Sequence, residues 1–242
     1  MSLKKEGYLP RLVDRKIERY LRIFGAILVE GPKWCGKTWT ALTHSNTVRY
    51  IMNPSAGVNY KETAKADPSL LLEGDEPILI DEWQEVPGIW DAVRFEVDQG
   101  QKRGRFLLTG STKPQVEAVS HSGAGRIAHV MMRPMSLFEA GVSTGKVSLS
   151  DILTGRDIKP SANEISLMEL IEITCRGGWP ANLNTTKEDA AEIPAQYIET
   201  IARTDMSQID DVSRDPAIPN ARHAKRRKTC WTVTTPNTKP ET

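Results

Sequence analysis

The chain has little that would mark it for life outside the cell, in a membrane or around a metal cluster. Its three cysteines, Cys35, Cys175 and Cys230, are an odd number with no C-x-x-C pair, so neither a disulfide framework nor a zinc site is expected. Reduced thiols suit the cytoplasm. The four histidines, His44, His121, His129 and His223, lack ligand spacing, and none is assigned a catalytic role. Long apolar runs are missing too: AILV at 26–29 and ILI at 78–80 fall far short of the ~18 residues that cross a bilayer. The opening MSLKKEGYLP carries charge without a following apolar stretch, so no secretory leader and no membrane partner are expected. Net charge is almost absent at +1 and singles out no partner, while 39% hydrophobic and 26% charged residues are ordinary for a globular chain. At 242 residues, the length suits one full α/β domain and a smaller appendage.

What is there alternates. Leu12, Ile17, Tyr20 and Leu21 recur at helical spacing over residues 10–22. GAILVE at 25–30 then reads as a strand that is apolar on both faces, as buried parallel strands are. A helix is expected over 38–43, a strand over 48–52 and a turn at Asn53-Pro54-Ser55. Helical pieces broken by Pro68 follow, then a strand, PILID, at 77–81. Ile89, Val93 and Val97 form one stripe of a helix over 89–99, and RFLLT at 105–109 is the next strand. Strands separated by helices imply a parallel sheet with helices on both faces. Residues 143–162 read as a surface connector. Helices are expected over 165–176 and 190–209, the second interrupted near Pro194.

The chemistry concentrates in Gly31, Pro32, Lys33, Trp34, Cys35, Gly36, Lys37 and Thr38, which satisfy G-x-x-x-x-G-K-[ST] after a strand and before a helix. Such a loop folds into a nest of backbone N–H groups facing one anion, and the helix that follows adds its partial positive charge. A nucleoside triphosphate, ATP with Mg2+, is the expected ligand. Lys37 would reach the β and γ phosphates, and the Thr38 hydroxyl would serve Mg2+, which keeps few protein ligands. Asp81 and Glu82 supply the second half, because a carboxylate at the C-terminal edge of a parallel strand faces the ligand crevice. Asp81 would hold the metal, mainly through water, and Glu82 would orient or deprotonate the attacking water. Thr109, with Ser111 in reserve, ends its strand where a hydroxyl could sense the γ-phosphate; capping backbone groups is the more ordinary use of such residues. Trp34 and Trp83 could stack a base, although large aromatics beside a sheet usually fill its core. Cys35, inside an electropositive loop, is expected to have a lowered pKa and to react with alkylating agents.

In order and spacing, YLPRLVDRKIERYL, GPKWCGKT, LIDEWQ, LLTGS, GAGRIAHVMMRPMSLFEAG and RGGWPA resemble a prokaryotic ATPase family of the AAA+ superfamily, with an N-terminal P-loop domain and a C-terminal domain of unknown function. The resemblance covers residues 8–216. It implies an α/β P-loop NTPase fold of the additional-strand type, a parallel sheet flanked by helices in which the Thr109 strand lies between the Lys37 and Asp81 strands. It also implies ATP rather than GTP, and the nearest approach to a guanine-reading motif, Thr112-Lys113-Pro114-Gln115, lacks the aspartate. Lys37, Thr38, Asp81, Glu82 and Thr109 match the family's loop, metal, catalytic and sensor positions. Arg126 in GAGRI is the best match for an arginine that completes a site, either its own or, across a subunit boundary in a homo-oligomer, that of another copy, with Arg133 its competitor.

The expected organisation is a P-loop ATPase domain at 1–142, a connector at 143–162, a helical segment opening a C-terminal domain at 163–216, and a basic disordered tail at 217–242. That tail carries net +5 from Arg222, Lys225, Arg226, Arg227, Lys228 and Lys239 against Glu241, leaving −4 on the rest of the chain. It lacks apolar periodicity and does not resemble the family's continuation, so the expectation is a truncated or frame-shifted member with a non-native tail. A protein partner through the C-terminal region and nonspecific nucleic-acid binding by residues 224–228 complete the candidate partners. The expected activity is Mg2+-dependent ATP hydrolysis; the alternative is a nucleotide-binding module with little turnover.

Overall fold

The computed structural model describes residues 3, 5–53, 57–100, 102–110, 123–157, 165–186 and 188–200. Five strands, β1 (Ala26–Glu30), β2 (Thr47–Tyr50), β3 (Ile78–Asp81), β4 (Phe106–Gly110) and β5 (Ile127–Met131), form one parallel sheet in the order β2-β3-β4-β1-β5. The helices of this part are α1 (Asp14–Leu21), α2 (Lys37–Thr43), α3 (Tyr60–Ala66), α4 (Gly88–Gln99) and α5 (Leu149–Leu153).

The three central strands, β1, β3 and β4, are apolar up to their C-terminal ends because both faces are covered. Ala26, Leu28, Ile78, Ile80, Phe106 and Leu108 point to one side, where Ile89, Trp90, Val93 and Val97 of α4 pack on them. Ile27, Val29, Leu79, Leu107 and Val130 point to the other, against Ile17 of α1 and Ala41 and Leu42 of α2. This alternation is the period-2 geometry of a strand. Trp83 is 2% exposed, with its ring centroid 4.9 Å from that of Trp90. It fills the core rather than stacking a base.

The sequence-based elements sit where they are observed, to within a few residues. α1 starts later than its apolar pattern does, because the Asp14 carboxylate accepts from the Arg11 N–H at 2.7 Å and closes the turn before the helix. Residues 60–71 split into α3 and a 3-10 turn at Pro68–Leu71. β5 had no sequence expectation. It is an edge strand with Ile127, Ala128 and Val130 buried and His129 and Met131 exposed, so it lacks the two-sided apolar run of its neighbours. The connector region contains α5.

The chain divides into two compact units: one comprises Met1–Ser166 with Gly177–Leu183, the other Leu167–Arg176 with Asn184–Thr242. In the second, α6 (Leu167–Arg176) and α7 (Glu192–Thr200) accompany a 3-10 turn at Asp189–Ala191. α7 runs through Pro194 without a break: Pro194 lies in the first helical turn, where the missing N–H has no intrahelical partner to lose. The expectations for the tail at 217–242 and for Ser111 lie outside the described residues.

Candidate functional site

The sheet order brings the site together. β4 lies between β1 and β3, and the register sets Asp81 beside Thr109 and Thr109 beside Val29, two residues before Gly31. The phosphate-loop sequence therefore emerges from the same edge as the carboxylate strand. Gly36 precedes α2 in the left-handed conformation, φ 97°, which costs a glycine little. A side chain on Gly31 would meet the Met132 carbonyl oxygen at 2.3 Å, so the loop hugs the chain that follows β5.

Polar groups converge on one oxygen. The Thr38 hydroxyl donates to Asp81 Oδ1 at 2.8 Å and the Thr109 hydroxyl donates to the same atom at 2.5 Å. Thr109 is fully buried, and its oxygen accepts from the Glu82 N–H at 3.4 Å. Lys37, 7% exposed, donates its Nζ to the carbonyls of Gly31 and Pro32 at 3.1 and 3.0 Å. Glu82 takes φ 60°, a strained conformation for a non-glycine residue, and its carboxylate accepts from the Gln84 side-chain amide. Tyr50 stands beside Asp81 in the β2–β3 register. Burial, and then the Asp81 charge, push its hydroxyl pKa up.

The expectation for Cys35 is corrected. Its thiol is fully buried, and burial raises its pKa in spite of the nearby Lys37 and Arg11 charges. Within this chain Arg126 is not brought to the site either. Its carbonyl accepts from the Ala26 N–H at the start of β1, and its side chain pairs with Asp98 at the end of α4 at 2.6 Å. It stands at the opposite edge of the sheet, roughly 15 Å away at ~3.3 Å per strand residue, because β5 runs from Arg126 toward the ligand edge. Only the form of that expectation in which Arg126 acts on another copy remains. Arg133, exposed just beyond the C-terminal end of β5, is on the ligand edge.

Two sets of contacts that frame the loop were not foreseen from the sequence. Arg11 is 6% exposed and spends its guanidinium on the Cys35 carbonyl (2.8 Å), the Arg133 carbonyl (2.7 Å) and Glu139 (3.1 Å). Trp34, left-handed at φ 66°, meets Trp179 edge-on with centroids 6.1 Å apart. Met135 N–H donates to the Gly178 carbonyl at 2.6 Å, fixing the segment that carries Trp179. The signal for that segment was RGGWPA itself, a Gly-Gly-aromatic-Pro turn. Arg11 gave none, because it read as one more charged residue before an amphipathic helix.

The donor set suits Mg2+. Thr38 and Asp81 offer hard oxygens, and the described residues contain no cluster of three or more His, Cys, Asp or Glu side chains that could form a metal cage. Mg2+ takes one or two protein ligands and completes its shell with water and phosphate oxygens.

Residues 24–141 match the family described as an AAA domain. Over that segment the chain is similar to AAA domains. Its curated relatives include the uncharacterized proteins Rv2008c of Mycobacterium tuberculosis and Mb2031c of Mycobacterium bovis, each 29% identical over 198 residues. The matched segment is 80% of this chain and 39% of each relative, so the chain spans about two-fifths of the length of the curated relatives it matches. Among solved structures it is similar to the Walker-type ATPase PABY2304 of Pyrococcus abyssi, at 12% identity and a TM-score of 0.45, over 95% of this chain and 79% of that one. No described helix of the chain is long and apolar enough to cross a membrane.

Proposed function

We propose that this AAA domain binds ATP with Mg2+ and hydrolyses it to ADP and phosphate in the cytoplasm. The observation that carries the reading is the shared Asp81 oxygen: a carboxylate on β3 and a hydroxyl from the phosphate loop, 43 positions apart in sequence, meet at 2.8 Å. Lys37 neutralises the β and γ phosphates, and the loop N–H groups of residues 31–38 bind their oxygens. Thr38 and Asp81 would hold Mg2+, which supplies charge neutralisation at the phosphate oxygens when bound. Glu82 orients the water and accepts its proton, and Thr109 ties the Glu82 backbone N–H to the Asp81 carboxylate.

A second reading, nucleotide binding with little turnover, is favoured by one contact: the Glu82 carboxylate is engaged by Gln84, and a base held by its neighbour must be released before it can serve water. Arg126 would act only in a homo-oligomer, on the site of another copy. Exposed Leu167 and Met168 on α6 suit a protein partner for the C-terminal region, and nucleic-acid binding would rest on residues 224–228. The test is Mg2+-dependent ATP hydrolysis by the 242-residue chain beside Lys37→Ala. Turnover absent from Lys37→Ala supports the ATPase; equal background in both, with ATP still bound by the unsubstituted chain, supports the binding module.

A further inference from the structure

A phosphate loop works only if its N–H groups face the anion, and an N–H is aimed by whatever holds the carbonyl of the same peptide. The Cys35 carbonyl and the Gly36 N–H belong to one planar trans peptide and point in opposite directions. The Cys35 carbonyl is held by Arg11 Nη1 at 2.8 Å. Gly36, at φ 97°, is in a conformation where glycine has wide freedom to rotate, so this peptide gains from an external tie.

The tie is itself anchored. Arg11 Nη2 donates to the Arg133 carbonyl at 2.7 Å and Nε to Glu139 at 3.1 Å, both side chains being more than 90% buried. Glu139 in turn accepts from the Leu12 N–H, the Ser136 N–H and the Ser136 hydroxyl at 2.8, 2.8 and 2.9 Å. The guanidinium thus spans two carbonyls and a carboxylate in one rigid plane, a geometry that a lysine cannot copy. Resting on the ATP-binding reading above, we infer that Arg11 is a positioning residue of the phosphate loop, which turns the Gly36 N–H toward the bound triphosphate by fixing the Cys35 carbonyl, with Glu139 holding Arg11 in place.

The experiment compares the full chain with Arg11→Lys, Arg11→Ala and Lys37→Ala. It measures binding of ATP and of inorganic tripolyphosphate, KM and kcat, thermal midpoint, and the alkylation rate of Cys35 read by mass spectrometry. Arg11→Lys keeps the charge opposite Glu139 and should stay folded. It should weaken both ligands by about tenfold, the scale of one lost hydrogen bond to a charged group, with the loss falling on KM rather than kcat. Cys35, buried in the intact loop, should be alkylated faster in Arg11→Lys, and tripolyphosphate should slow that reaction. Arg11→Ala should show the same changes, larger, or unfold. Tripolyphosphate and ATP affinities within twofold of the unsubstituted chain in Arg11→Lys, with Cys35 still protected, would overturn the inference while leaving the ATPase reading intact. Unchanged binding in Lys37→Ala would overturn that reading, and the inference with it.

Discussion

The two edges of the parallel sheet are built from the same residue types to opposite ends. At the N-terminal edge, charges are spent on each other: Arg105 pairs with Glu76 at 2.8 Å and with Glu96 at 3.3 Å, Lys102 also reaches Glu76, and Arg126 pairs with Asp98. At the C-terminal edge, Thr38 and Thr109 converge on a single oxygen of Asp81. Both non-glycine residues with positive φ among the described residues, Trp34 and Glu82, belong to this edge. Strain of that kind costs on the order of 1–3 kcal/mol and persists where function over-determines it. An edge closed by ion pairs holds strands together, whereas an edge with strained backbone and a shared carboxylate is shaped for something outside the protein.

The largest difference between the edges should come from Glu82→Gln. If Glu82 activates water, turnover falls by at least ~100-fold, the usual contribution of a general base, while ATP affinity and thermal midpoint stay close to those of the unsubstituted chain. Turnover that survives would move the catalytic role elsewhere.

A middle-sized effect compares one carboxylate at each edge, alike in pH response and unlike in binding. At the loop, burial alone would raise the Glu139 carboxyl, but the Ser136 and Leu12 N–H groups, the Ser136 hydroxyl and Arg11 outweigh it and hold the group below its ordinary value of 4.5. At the far edge, burial likewise opposes Glu76, and Lys102 and Arg105 likewise prevail. A carboxylate depressed in the folded state binds protons less readily than in the unfolded chain. Its contribution to stability is therefore present above that ordinary value and is lost as pH falls through the depressed one. Glu139→Gln and Glu76→Gln should each flatten the acid limb of the stability curve, seen as thermal midpoint against pH from neutrality downward. Only Glu139→Gln should also weaken nucleotide binding; equal effects on binding would erase the distinction between the edges.

The smallest effect is expected from Arg126→Ala. Its partner Asp98 is exposed to solvent on its own helix end, and surface ion pairs of this kind contribute little. The thermal midpoint should barely move. Turnover should fall only where subunits meet, which a dilution series of the hydrolysis rate would reveal. A loss independent of concentration would place Arg126 in its own site, against the strand direction.

How much of this was legible in the sequence depends on how locally each feature is specified. GAILVE, PILID and RFLLT announce strands because a two-sided burial demands unbroken apolar residues, and the glycine loop announces itself because its backbone shape requires glycine at fixed positions. β5 was not legible, since an edge strand buries one face and IAHVM carries only a weak alternation. That omission is also why Arg126 was assigned to the site: without a strand at Ile127–Met131 there is no direction to say which edge an adjoining arginine occupies. Cys35 misled for a related reason. Its charged neighbours are visible in the sequence, but the burial that overrides them is not.

By itself the sequence determined the local chemistry: a phosphate loop between a strand and a helix, an acidic pair ending another strand, and a threonine ending a third. Each is set by residue type and short spacing, because backbone conformation and strand burial are local demands. Only the tertiary structure decided which of these meet. The crossing of β4 between β1 and β3 joins Thr38, Asp81 and Thr109 on one oxygen, and the return of the chain after β5 brings Glu139 to Arg11 across 128 positions. Pairings at such separations are set by how the elements pack, and packing energy depends on surfaces that form only when the sheet is assembled.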